Sequence, residues 1–179
     1  MASDQLGELK KLVGDLSRKG SNGSHQVQLN RAVEVIGKNF AVQPHEVAIL
    51  GLTSDERSLR FLAPENLRIV GQIPLSSTTS LAARTVREKR PEIINHFTVV
   101  PHASVFEAVP IADEQRGDPI QKIMSSPIAS SGHVIGVLQV SRKGKALADC
   151  GPDFTYPQLR ELKAISDMLA ACIDLCNKE

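Results

Sequence analysis

Three patterns in the sequence predict an α+β fold built on a central antiparallel sheet. Apolar residues recur with helical spacing at both ends of the chain. Between those ends stand two pairs of strand-length apolar runs, each pair split by a turn signal. The last run is apolar on both faces, with Val134, Leu138 and Val140 on one side and Ile135 and Val137 on the other. A strand that suits water on neither face belongs inside a sheet with something packed on each side.

The helices and strands follow in order. Leu6, Leu9, Val13 and Leu16 are spaced 3, 4, 3, which predicts a helix over 3–18 with a heptad-like seam. So short a stripe needs a surface to pack on. KGSNGS then breaks the helix, and Ser24 is a suitable cap for a second one with Leu29, Val33, Ile36 and Phe40 on its face. Pro44 ends that region. EVAILGL is a strand, and SLRFLA a second, with Leu59, Phe61 and Ala63 on one face. A third strand is expected within IVGQIPLS, with Gly71 at a bulge.

The period changes at TTSLAARTVREKRP. Thr79 or Ser80 caps a helix that buries Leu81, Ala82, Thr85 and Val86 and stops before Pro91. Pro91–Pro119 reads as a long irregular cover, rich in apolar residues, with a short helix around Ala103–Ala108. A second hairpin follows. Its first strand, near Ile120–Ala129, sets Ile123 and Ser125 opposite Met124 and Ser126; SSGH makes the turn into the strand His133–Arg142. The final helix carries Leu162, Ile165, Leu169, Cys172 and Cys176 at spacings 3, 4, 3, 4.

Composition narrows the function. Lys+Arg is 21 against Asp+Glu 20, and aromatics are 3%, which argues against a nucleic-acid platform. No apolar run reaches membrane-span length, so no membrane partner is expected, and the N-terminus lacks a signal-peptide core. Three cysteines, an odd and sparse set, fit a reducing cytoplasm better than a disulfide framework.

The words PIASSGHVIGVLQVSRKG…FTYPQLRELKAISDMLAACI resemble the GAF domain family, in which a Pro-containing strand turns into a "viGvlql" strand, a loop with Phe and an apolar helix. IPLSSTTSLAARTVREKRPEIIN resembles that family's middle helix and the segment after it. By order of elements the likeness spans about Ser24 to Asn177. It implies a GAF/PAS-like sheet with terminal helices on one face and the middle helix plus long loop over the other, enclosing a small-molecule pocket. On that division residues 1–23 are an N-terminal helix and linker, a candidate for dimerisation, and 24–179 the GAF-like domain. The expected role is a non-catalytic sensor or regulatory domain in signal transduction. It would take a small ligand of unknown identity, form a homodimer through its terminal helices, and pass a signal to a downstream protein. The candidate ligand-binding residues are Phe97, His102, Ser104 and Phe106 on the cover, with Ile123 and Ser125 on the sheet.

Particular residues bear on narrower chemistries. Cyclic-nucleotide binders of the family carry Asn-Lys, then Phe, then Asp-Glu. Here Ser141, Arg142 and Lys143, then Phe154, then Gln158 and Leu159 stand in those places, and the acidic pair is missing. Covalent tetrapyrrole attachment needs a cysteine near the pocket, and Pro91–Pro119 contains none. Reduction of free methionine sulfoxide, known in a few members, needs loop cysteines; only Cys150 lies on a loop, while Cys172 and Cys176 share a helical face. His96 and His102, with Glu107 nearby, have no metal-ligand spacing, so no metal is expected. The basic run Arg87–Arg90 reads as a solvated helix end. An alternative role is a pure protein-interaction module with a vestigial pocket, and a further one is a thiol-based free methionine sulfoxide reductase.

Overall fold

The computed structural model describes residues 2–16, 22–99 and 118–177. Six antiparallel strands form the middle layer: β1 (Val47–Leu52), β2 (Ser58–Ala63), β3 (Gln72–Pro74), β4 (Glu92–Ile94), β5 (Ile120–Ser130) and β6 (His133–Lys143). Their order across the sheet is β3-β2-β1-β6-β5-β4. The helices are α1 (Ala2–Leu16), α2 (Asn22–Phe40), α3 (Leu81–Glu88) and α4 (Tyr156–Asn177). β6 runs between β1 and β5, an interior strand as its two apolar faces require.

One face of the sheet is covered by α1, α2 and α4. Leu9 and Leu12 of α1, Val33 and Ile36 of α2, and Leu162 and Leu169 of α4 share one apolar cluster with Ile49, Met124, Leu138 and Val140. The other face carries α3 and splits into two clusters. Ala82, Ala83 and Val86 pack with Leu50, Phe61 and Val137. Leu81 packs with Phe97, Ile120 and Ile123.

Local chemistry sets the boundaries. The Ser80 hydroxyl accepts from Ala83 N at 3.2 Å to start α3. Lys89, at φ 55°, ends it in the left-handed region. Thr155 and Gln158 cap α4 reciprocally: Thr155 N donates to Gln158 Oε1 at 2.9 Å and Gln158 N to Thr155 Oγ1 at 3.4 Å. Ser131 and Gly132 have φ of 50° and 83°, the two positive values that a two-residue type I′ hairpin turn requires.

Several details differ from expectation. Ser24 lies inside α2, which begins at Asn22, so it is not the cap. Ala63 does not share a face with Leu59 and Phe61. The β1–β2 register steps from Leu50↔Phe61 to Ile49↔Ala63, and this bulge in β2 sends Ala63 to the α1/α2/α4 side. Val134 and Ile135 likewise exchange faces, because the pairing jumps from Ile128↔Gly136 to Ala129↔Val134. The third strand is only Gln72–Pro74; Glu65–Val70 is a 3-10 turn with Ile69 84% exposed, and Gly71 (φ 104°) is the joint between them rather than a bulge. The described start of the passage after Pro91 holds β4 and a 3-10 turn, Phe97–Val99, where an irregular cover was expected. The helix expected at Ala103–Ala108 lies outside the described residues.

Candidate functional site

The α3 face of the sheet carries one polar row across three strands, running up to Ala48 on a fourth. Register places Glu92, Ser125, Gln139 and Ala48 side by side on β4, β5, β6 and β1. α3 lies over this row and is bonded to it. Arg84 Nη2 donates to Glu92 Oε1 at 3.0 Å. The Thr85 and Ser125 hydroxyls meet at 2.7 Å. Gln139 Nε2 donates to Ser125 Oγ at 3.1 Å, and Thr85 Oγ1 donates to Leu81 O at 2.9 Å. Ser125, Thr85 and Gln139 are all buried, at 0%, 2% and 2% exposure. The polar residues of the row lie between the two apolar clusters of this face, and Ala48 belongs to the first of them.

Of the sequence-predicted ligand residues, three fall among the described ones. Phe97 and Ile123 are brought together, both buried beside Leu81 and Ile120. Ser125 stands two residues along β5, tied to α3 through Thr85. His102, Ser104 and Phe106 lie outside the described residues. Sequence reading missed Gln139 and the bonding role of Thr85. The available signal was one polar side chain inside the apolar run VIGVLQV, on the face shared with Ser125.

A cleft of about 380 Å³ opens where β6 ends; Val42, His45, Glu46, Lys143, Asp149 and Cys150 are among its lining residues. Its walls are held by structural bonds. Both Glu46 carboxylate oxygens accept backbone N–H groups, from Lys143 at 2.6 Å and Gln43 at 2.7 Å. Burial lowers the Lys143 ammonium below the ordinary lysine range, and Glu46 offsets part of that effect.

The residues that stand in the cyclic-nucleotide places are likewise built into the frame. The Arg142 guanidinium lies 4.7 Å from the Phe154 ring centroid and donates to Phe40 O at 3.1 Å and Ala41 O at 3.3 Å, the carbonyl end of α2. Burial lowers its pKa, opposed by Glu46 and the Cys150 sulfur. Lys122, whose side chain is 6% exposed, reaches Gly151 O at 2.7 Å and Asp153 Oδ1 at 2.8 Å. That hydrogen bond holds the Asp153 carboxyl below its usual range.

Cys150 is buried, and its thiol donates to Leu147 O at 3.0 Å. Cys172 is buried under α1, on the face shared with Leu162 and Leu169. Among the described residues no three metal-ligating side chains converge; His96 is exposed, and His102 and Glu107 are outside that set. Arg87 of the basic run donates to Leu75 O and Ser77 O, so part of that run ties α3 to the exit of β3. Among the described residues no helix is long and apolar enough to cross a membrane.

Comparison with solved structures agrees with this architecture. The GAF domain of a phosphoenolpyruvate-protein phosphotransferase from Acinetobacter superposes with TM-score 0.67 at 14% identity, covering 99% of this chain and 97% of that one. The corresponding domain from Coxiella burnetii gives TM-score 0.68 at 12% identity, over 99% and 96% of the two chains. A free methionine-R-sulfoxide reductase from Neisseria meningitidis, in complex with its substrate, gives 0.64 at 12% identity, over 99% and 92%. At such identities the likeness carries the fold alone. Among curated proteins no relative matches the chain. The family signature of the GAF domain matches residues 24–173, most of the sequence, and the chain therefore belongs to the GAF domain family.

Proposed function

We propose that this chain is a non-catalytic sensor or regulatory domain whose α3 face takes a small, uncharged or weakly polar molecule. The observation that carries this reading is the convergence of Phe97 and Ile123 beside the buried polar row of Ser125 and Gln139. Membership of a family used in regulation supports it, as do structural neighbours that are GAF domains of phosphotransferases. Ligand binding shifts how the terminal helices pack between two copies, a population change between two arrangements. The setting is cytoplasmic signalling, with a downstream protein reading the terminal helices.

A thermal-shift screen against nucleotides, amino acids and tetrapyrroles tests the reading. A ligand at a hundred times its Kd raises Tm by about 5–10 °C in a domain of this size. No hit in any class, with a crystal structure showing that space filled by side chains, overturns it and favours an interaction module with a vestigial pocket.

The structural neighbours favour one second reading, a thiol-based reductase of free methionine sulfoxide. The residues weigh against it: Pro91–Pro119 has no cysteine, and Cys150 is buried and bonded within its own turn. Loss of sulfoxide-reducing activity on Cys150→Ser would establish it; unchanged activity disposes of it.

A further inference from the structure

The polar row on the α3 face holds two buried atoms without a hydrogen-bond partner among the described residues, Arg84 Nε and Gln139 Oε1, and the second ends a relay of hydroxyls. The Thr85 hydroxyl spends its proton on Leu81 O. The Ser125 hydroxyl, 2.7 Å from Thr85 Oγ1, must then donate to it. Ser125 Oγ is left to accept, and the group facing it at 3.1 Å is the amide of Gln139. The direction of the relay settles the orientation of that amide: its nitrogen faces Ser125, because an oxygen there would set two acceptors against each other. Gln139 Oε1 is therefore turned away from the row. It is buried and has no hydrogen-bond partner among the described residues. A buried carbonyl without a donor carries a desolvation penalty that no contact on its own strand relieves.

We propose that Gln139 Oε1 is the polar anchor of the ligand site, and that the ligand is an uncharged molecule with an apolar body and one N–H or O–H donor. This rests on the reading that the α3 face takes a ligand. Next to Ser125 and Gln139 the sheet offers Ile123, with Phe97 and Ile120 packed beside it, a wall suited to the apolar body. Along the relay both hydroxyl protons are used, and Gln139 Nε2 places one of its two N–H groups on Ser125. At Gln139 Oε1 the protein accepts and the ligand donates. A site of this kind rejects an analogue that lacks the donor, because binding it leaves the carbonyl buried and unpaired.

Matched pairs differing only in that donor test the proposal: indole against N-methylindole, phenol against anisole, benzamide against N,N-dimethylbenzamide. Binding to the wild-type protein is followed by saturation-transfer NMR and by titration. The expected result is that the donor member of at least one pair binds about ten- to a hundredfold tighter than its methylated partner. Gln139→Leu and Gln139→Met, each checked for a native circular-dichroism spectrum, are expected to abolish the difference while keeping the weaker, apolar component of binding. If both members of every pair bind alike, the carbonyl is satisfied by a buried water and the donor inference falls while the pocket stands. If discrimination survives in the folded variants, another acceptor is responsible and Gln139 is not the anchor. If no probe binds in either form, the pocket reading itself fails and takes this inference with it.

Discussion

Arg142 joins three parts of the chain distant in sequence. Its side chain leaves β6, donates to the last carbonyls of α2 and stacks on Phe154 at the entry to α4. A cation at the carbonyl end of a helix is favourable, and the planar fork lets one side chain meet two carbonyls. Gly151 makes room for it: a Cβ there would sit 3.3 Å from Arg142 Nη1, and the residue's φ of 81° suits glycine. Arg142→Gln is expected to cost on the order of 3 kcal/mol in urea denaturation, with Arg142→Lys recovering only part of it. A loss below about 0.5 kcal/mol for Arg142→Gln would show that water replaces the guanidinium without penalty.

The β1–β6 pairing depends on a glycine. Gly136 lies opposite Gly51, and a Cβ built at Gly136 would stand 2.3 Å from Leu50 O. The obstruction is backbone of the neighbouring strand, so no rotamer change relieves it. Gly136→Ala must push β1 and β6 apart at the centre of the sheet, with an expected loss of about 3 kcal/mol or more and a lower Tm by calorimetry. Gly132, in the turn of the same hairpin, meets nothing within 4 Å; its demand is for a positive φ of 83° instead. The strand pattern VIGVLQV marks both faces of β6 as buried, yet it says nothing of why glycine stands at its third position. That reason is a carbonyl 86 residues earlier in the chain.

The arrangement of layers assigns work to the terminal helices. α1 packs against α2 and α4, and Leu9 of its seam is buried by the same chain, as is Leu12, which the seam did not include. The N-terminal stripe is therefore used in part internally, while Val27 on α2 remains 68% exposed on that layer. A dimer built on this layer would carry a signal from the α3 face through a sheet only one strand thick. Sedimentation velocity at micromolar concentration is expected to give a dimer, and loss of residues 1–16 to shift it toward monomer. A wild-type monomer at all concentrations would remove the terminal helices from the signalling role.

Much of the architecture was legible in residue order. The periods of α2, α3 and α4, the two hairpins, a cap at Thr79 or Ser80 and the interior position of β6 each follow from local pattern, because burial of one face writes itself into spacing. The candidate site was legible only in part. Phe97, Ile123 and Ser125 could be named, since a hydroxyl or aromatic on a predicted face is visible in the string. The partnership of Ser125 with Thr85 and Gln139 could not, because it joins three elements through contacts 14 and 40 residues apart. The bulges in β2 and β6 were also out of reach: a single extra residue inverts the alternation beyond it, and only pairing with the neighbouring strand reveals the slip. Spacing along the chain reports which side of an element is dry. Which buried polar atom is left without a partner is decided by what lies across from it, and that is a property of the assembled layers.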